Sequence, residues 1–246
     1  MLGSLFAKKE RKIEVFVRHC HFSTISAHKK RLTAISREVC FNNLLQTTQD
    51  ASVNLTFFLD TFRPATQTHF VKLQSQFPVI EISEGSEAGS FLRLLDHVSK
   101  LDLHPDTIIY FLEDDYLHRK GWVEILREGF AIPEADYVTL YDHRDKYFHP
   151  AYSTLQSKIF HTKSCHWRTT PSTTNTFAMR FKTLLRDLEL QRSFSQNVTI
   201  SKDHEKFLKL NEHGKILISS IPGWSTHTEE EFASPCIEWH QLIKRD

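Results

Sequence analysis

The chain has 246 residues, is 40% hydrophobic and 25% charged, and carries a formal net charge of +1. That profile fits a globular protein long enough to bury a sizeable core, and its near-neutral balance argues against a nucleic-acid partner held by a global basic field. Four cysteines (Cys20, Cys40, Cys165 and Cys236) lie far apart with no CxxC pair, which argues against a zinc site and for reduced thiols.

The opening segment, MLGSLFAKKERKIEVFV, meets its charges too early for a secretory signal. No run approaches the roughly 20 apolar residues that span a bilayer, so a cytoplasmic protein without a transmembrane segment is expected. The sequons at Asn54 and Asn197 then read as incidental.

Through residue 145 the chain alternates two kinds of segment. IEVFVRHC (13–20), VNLTFFLD (53–60), PVIEIS (78–83), TIIYFL (107–112) and YVTLY (137–141) are β-rich, and two are nearly all apolar, as strands covered on both faces require. Between them lie helical stripes: Leu32, Ile35 and Val39; Phe70, Leu73 and Phe77; Phe91, Leu94, Leu95 and Val98; Trp122, Ile125 and Leu126. SEGSEAG (83–89) reads as a loop with a capped helix start. This alternation predicts crossovers on a mostly parallel sheet.

After Asp145 the rhythm breaks. A polar, aromatic and Ser/Thr-rich stretch runs to Met179, followed by a helix at RFKTLLRDLEL and another at SKDHEKFLKL, which Ser201 or Asp203 could cap. A last strand, KILISSI (215–221), precedes the irregular PGWSTHTEEEFASP. With no repeat or linker, the chain reads as one α/β domain with a front half (1–145) and a back half (146–246).

Strand 107–112 runs into Glu113, Asp114 and Asp115. Ligands of a parallel α/β sheet sit beyond the carboxyl ends of its strands, and side-chain alternation sends Glu113 and Asp115 one way and Asp114 the other. Two carboxylates meeting at one spot suit a hard divalent cation, magnesium or manganese, bridging diphosphate oxygens. An acidic surface turn is the alternative.

A strand, three acids and a helix carrying GWVEIL resemble the GT-A fold of family 2-like glycosyltransferases, whose Asp-x-Asp-type motif ends the fourth strand. Within that group the chain resembles the small metal-dependent enzymes of large algal DNA viruses, which would place it in host cytoplasm. The resemblance implies a single Rossmann-like GT-A domain with a nucleotide-sugar-binding front half and an acceptor-binding back half. It also implies a metal (Mn2+ or Mg2+) on Asp115 and Asp114, and donor contacts from Glu113 and Asp114. The basic loop VRHCHFSTISAHKKRL (17–32) would wrap the nucleotide, giving donor contacts from Arg18, His19 and Lys30; a solvated basic helix start is its alternative. Asp60 resembles the acid that meets base or ribose, unless it serves as an N-cap, and Ser86 and Ala88 lie where the family packs the donor.

In SSIPGWSTHTEEE (219–231), Pro222-Gly223 permits a sharp turn. The family's late metal-completing residue would be His227, and an imidazole beside carboxylates favours manganese; a surface histidine on a loop is the alternative. For an inverting transfer the family places an acid at a helix start in the back half, which here is Asp203 with Glu205 in reserve, although Asp203 could simply cap. In HWRTTPSTTNTFAM (166–179), His166 and Trp167 can stack on a pyranose, while Arg168, Thr173, Thr174 and Asn175 can meet hydroxyls or a phosphate, and Trp224 joins them as an acceptor contact; an ordinary polar loop is the alternative. YDHRDKY (141–147) can line the same cleft.

The expected activity is hexosyl or deoxyhexosyl transfer from a UDP-, GDP- or dTDP-linked sugar to a carbohydrate or glycoprotein hydroxyl, in glycan biosynthesis. The alternatives are a nucleotidyltransferase, which calls for an early Gly-rich loop that residues 17–32 do not supply, and a non-catalytic carbohydrate-binding protein.

Overall fold

The computed structural model describes residues 12–23, 26–32, 35–73 and 76–243. Most of the segment read against a secretory signal, and two positions of the basic loop, lie outside them. The front half runs β1 (Ile13–Cys20), α1 (Arg37–Thr47), β2 (Val53–Asp60), α2 (Phe70–Leu73), β3 (Val79–Ile82), α3 (Glu87–Val98), β4 (Ile108–Glu113), β5 (Tyr116–His118), α4 (Trp122–Gly129) and β6 (Tyr137–Thr139). The back half adds α5 (Asp145–Phe148), β7 (Ile159–His161), β8 (His166–Thr169), β9 (Phe177–Arg180), α6 (Phe181–Ser193), α7 (Asp203–Glu212), β10 (Leu217–Ile221) and β11 (Ser225–His227).

Nine of these strands form one sheet in the order β3-β2-β1-β4-β9-β6-β10-β8-β7, so both halves share it. The expected parallel order holds from β3 to β4. Beyond β4 the sheet is mixed, because β9 enters antiparallel between β4 and β6. Register sets the working edge: Arg18 lies beside Glu113, and Cys20 beside Asp60.

Alternation divides the core into two layers. Ile108, Tyr110 and Leu112 face the side covered by α1 and α4, with Trp122 and Trp167 among their neighbours. Ile109 and Phe111 face the side covered by α3, α6 and α7, where Phe91, Phe177 and Phe207 join them. Each fully buried phenylalanine contributes on the order of 2 kcal/mol. The apolar stripes of α3 and α4 are buried as their spacing predicts. Ser86 caps α3 by accepting from the Gly89 N–H at 3.0 Å.

Four expectations need correction. Leu32 and Ile35 of the first stripe precede the helix, which begins at Arg37 after the Ser36 cap. The stripe of Phe70, Leu73 and Phe77 gives only a four-residue helix, in which Val71 is buried and Leu73 is exposed. Three strands, β7, β8 and β9, fall in or at the end of the polar stretch, where none was expected, because strands of three or four residues are too short to show a period. Neither Ser201 nor Asp203 caps α7: Lys202 holds that position and no side chain bonds there.

No described helix is long and apolar enough to cross a membrane.

At Gly129, the last residue of α4, an added Cβ would stand 2.8 Å from Trp167 Cη2 and 2.9 Å from Val138 Cγ1. Both neighbours are fully buried, so there is little room to yield. Gly129→Ala is expected to lower the urea midpoint with an unchanged slope, at a cost of about 1–3 kcal/mol.

Candidate active site

A cavity of about 310 Å³ opens at the carboxyl edge of β1, β2 and β4. It brings together Arg18, His19, Asp60, all three acids of the triplet, Thr174, Asp203 and His227, and it leaves out Lys30, Trp167, Arg168, Thr173 and Trp224.

Each acid of the triplet meets a different arginine. Glu113, on the α3 face of the sheet, lies 3.4 Å from Arg18 Nη2. Asp114, on the α1 face, lies 3.2 Å from Arg37 Nε and 3.9 Å from His19 Nδ1. Asp115 lies in the turn beyond the strand, 3.0 Å from Arg31 Nη2 and 3.3 Å from His227 Nε2. The opposed directions of Glu113 and Asp114 follow from alternation; the direction of Asp115 does not, because the strand has ended. The three acids therefore differ in charge. Burial pushes Glu113 well above the usual carboxylate range despite Arg18. Burial also raises Asp114 to about 6, with Arg37 opposing. Burial opposes ionisation of Asp115 too, but His227 and Arg31 outweigh it and hold that group far below the usual range.

The meeting of Asp115 with His227 has a structural cause. Strand β5, unforeseen between the acids and α4, pairs antiparallel with β11, setting His227 opposite Tyr116. His227 Nδ1 accepts from the Glu229 N–H at 3.2 Å, which leaves Nε2 as the nitrogen facing Asp115. Imidazole and carboxylate converge there on one point of the cleft, a donor pair of the kind that could contribute to a divalent-ion site. Asp114 is not part of that set, since its carboxylate turns to Arg37 on the α1 face. Among the described residues, no group of three or more His, Cys, Asp or Glu side chains could hold a metal by itself.

A second network links the two halves. Glu87, the first residue of α3, accepts from Arg18 Nη1 at 2.8 Å and Asn175 Nδ2 at 2.9 Å through Oε1, and from the Ser201 N–H at 2.7 Å through Oε2. Burial pushes its pKa up, but Arg18 and the donors from Ser201 and Asn175 outweigh that and bring it down to about 2. The sequence reading missed Glu87, along with Arg37 and Lys206; it offered Asn175 as a contact for hydroxyls or a phosphate, whereas Asn175 is fully buried between Glu87 and Lys206. The signal for Glu87 was faint, an acid one position after a capping serine.

Asp203 faces the cavity from the first turn of α7. Its carboxylate is a quarter exposed, and its Oδ1 is buried without a hydrogen-bond partner. Burial raises its pKa to about 7, Glu87 adds to the rise, and Lys206, Arg18 and the Asn175 N–H oppose it. An acid poised near neutrality beside a cleft is suited to proton transfer.

The remaining candidates have structural duties. Asp60 lines the cavity and also clasps two loops, accepting from the N–H groups of Phe62 (2.9 Å), Glu84 (3.3 Å) and Gly85 (2.8 Å). Lys30 points to solvent with Glu230, whereas its neighbour Lys29 lines the cavity. Trp167 is fully buried beneath Gly129 and has no face for a sugar. Arg168 is buried against Asp142 at 2.8 Å, and Thr173 against Thr139. Trp224 lies under Arg119, 4.1 Å from the guanidinium carbon. Thr174 does reach the cavity, sharing a 2.8 Å hydrogen bond with the Tyr116 hydroxyl.

No family model matches the chain, and no curated protein matches it by sequence. In three dimensions it is similar to S. aureus TarS. The TarS 1–349 structure aligns with a TM-score of 0.50 and 11% identity, over 88% of this chain and 60% of that one. The same segment in complex with UDP-GlcNAc aligns with a TM-score of 0.53 and 13% identity, over 87% and 57%. A longer TarS structure aligns with a TM-score of 0.52 and is covered over only 36% of its length. The chain thus spans less than two thirds of each TarS structure. At this identity the likeness is one of fold: a GT-A-like α/β domain, its large mixed sheet flanked by helices.

The depressed pKa of Glu87 makes its ionised form a source of stability that is present above the ordinary value of 4.5 and lost as pH falls toward about 2. Glu87→Gln is expected to cost about 3 kcal/mol at about pH 7, because the buried Arg18 loses the ionised partner it meets at 2.8 Å. The difference from the parent protein should shrink in urea melts run below about pH 4.

Proposed function

We propose that the chain is a glycosyltransferase that moves a sugar from a nucleoside-diphosphate donor to a hydroxyl of a carbohydrate or glycoprotein, with inversion. One observation carries this reading: within a GT-A-like fold, a carboxylate with a pKa near 7 faces a cavity that His227 and three arginine-matched acids, Glu113, Asp114 and Asp115, also line. The TarS complex with UDP-GlcNAc supports a nucleotide sugar as the donor class and makes a UDP-linked sugar the first to try, ahead of GDP- and dTDP-linked ones. Transfer of a hexose or deoxyhexose fits the same reading. So does kinship with the algal-virus enzymes whose strand, acid triplet and helix the sequence resembles.

Asp203 accepts the proton of the acceptor hydroxyl as that oxygen attacks the anomeric carbon. The bond from that carbon to the diphosphate oxygen breaks, and the nucleoside diphosphate leaves with the electron pair. Arg18, Arg37 and Lys29 line the cleft as the cationic groups nearest such a leaving group. Asp115 and His227 would hold a manganese or magnesium ion, which when bound supplies positive charge against the diphosphate oxygens.

Donor binding is read from thermal shifts with nucleotide sugars plus manganese, and transfer from release of nucleoside diphosphate. Asp115→Ala should lose the donor-dependent shift. Asp203→Ala should keep that shift while kcat falls roughly 10²–10⁴-fold. Because the base must be ionised to act, kcat/KM should rise with pH through about 7 in the parent protein. Equal transfer by both variants and the parent would sink the proposal.

A further inference from the structure

Behind Asp203, buried beyond the cavity wall, lies a lysine that the mechanism above does not use. The side chain of Lys206 is almost wholly buried, and its ammonium lies 4.6 Å, 4.7 Å and 5.2 Å from the ring centroids of Phe91, Phe177 and Phe207. Nζ donates to Oδ1 of Asn175, which is itself fully buried and donates through Nδ2 to Glu87. One turn of α7 separates Lys206 from Asp203, and Nζ stands 3.8 Å from Asp203 Oδ1, the carboxylate oxygen left without a hydrogen-bond partner. An apolar side chain of the same length would fill the aromatic box without the cost of burying a charge, so packing alone does not explain a lysine here.

We propose that Lys206 is a positioning residue that holds Oδ1 of Asp203 inward and keeps that carboxylate ionised, leaving its exposed side to take the acceptor's proton. This inference rests on the reading of Asp203 as the base. The charged groups facing Asp203 are Lys206 on its own helix, Glu87 at the start of α3, Arg18 on β1 and Glu113 at the end of β4. Glu87 and Glu113 disfavour the carboxylate, and Arg18 is already shared between those two acids. Lys206 is therefore the cation that most lowers the proton affinity of Asp203 against its burial. Asn175 fixes the ammonium, and through Glu87 it ties this arrangement to the donor side of the cleft.

Removing the cation must raise the pKa of Asp203, so the ascending limb of the pH profile moves to higher pH. Lys206→Met should shift the midpoint of kcat/KM upward by about one unit, a roughly tenfold loss near pH ~6 that is recovered by pH ~9, with donor KM unchanged. A purely structural lysine would lower activity evenly at every pH, and an unmoved midpoint in a folded Lys206→Met protein overturns the proposal. If that variant does not fold, Lys206→Gln keeps a donor for Asn175 while removing the charge, and the same shift is expected. The parent protein offers a third reading: NMR titration of the lysine amine should find Lys206 protonated throughout the range in which Asp203 titrates, and a neutral amine there also overturns the proposal. Asp203→Asn separates the two levels of inference. Full transfer by Asp203→Asn removes the base itself, whereas lost transfer with an unmoved Lys206→Met midpoint removes only the role of Lys206.

Discussion

Pairing of each acid at the sheet edge with its own arginine is the constraint on which the site depends. Three consecutive carboxylates would repel one another and resist leaving water. Here Glu113 goes to Arg18 of β1, Asp114 to Arg37 of α1, and Asp115 to Arg31 of the intervening loop. The partners come from three segments, so the charge of the triplet is balanced only when those segments have docked. The pairings also give the acids different characters. Glu113 is held toward its neutral form and Asp114 titrates near 6, while Asp115 stays an anion beside His227. One firmly charged carboxylate next to an imidazole is what a site for a cation or a polarised ligand needs.

The same arginine reaches across the molecule. Arg18 bonds Glu87 as well as Glu113, and Glu87 in turn gathers Asn175 and the backbone of Ser201 from the back half. The sheet edge at Arg18 and Glu113 and the segment leading into the helix of Asp203 are thereby fixed to one partly buried carboxylate. Within the front half Asp60 plays a similar part, tying the loop after β2 to the loop after β3 through three backbone N–H groups. Opposite it, the segment after β11 is stitched to the basic loop, where the Leu32 N–H donates to the Thr228 carbonyl at 2.8 Å and Lys29 pairs with Glu229. A cavity walled by such clasps keeps its charged groups at set distances, which preorganised electrostatics requires.

Residues chosen from the sequence fared according to where their chemistry was written. Those at strand ends, Arg18, His19 and the acid triplet, reached the cavity because hydrophobic runs mark where buried strands stop. Asp203 and His227 were placed by a motif resemblance and also reached it. Trp167, Arg168 and Thr173 did not: nothing in a polar stretch signals that β8 lies inside the sheet, with Trp167 buried against Gly129. Lys30 and Lys29 are equivalent in a linear reading, yet the turn sends one outward and the other into the cleft.

By itself the sequence determined the alternation of strands and helices in the front half, the edge at which the cavity opens and the clustering of acids there, because periodicity and burial act over a few neighbouring residues. Only the tertiary structure decided which cation each acid meets, that β9 enters the sheet antiparallel, and that Lys206 lies beneath Asp203 against three phenylalanine rings. Those outcomes depend on segments far apart in the chain. Their charges and shapes are complementary only after folding brings them together, and no local pattern encodes that distance.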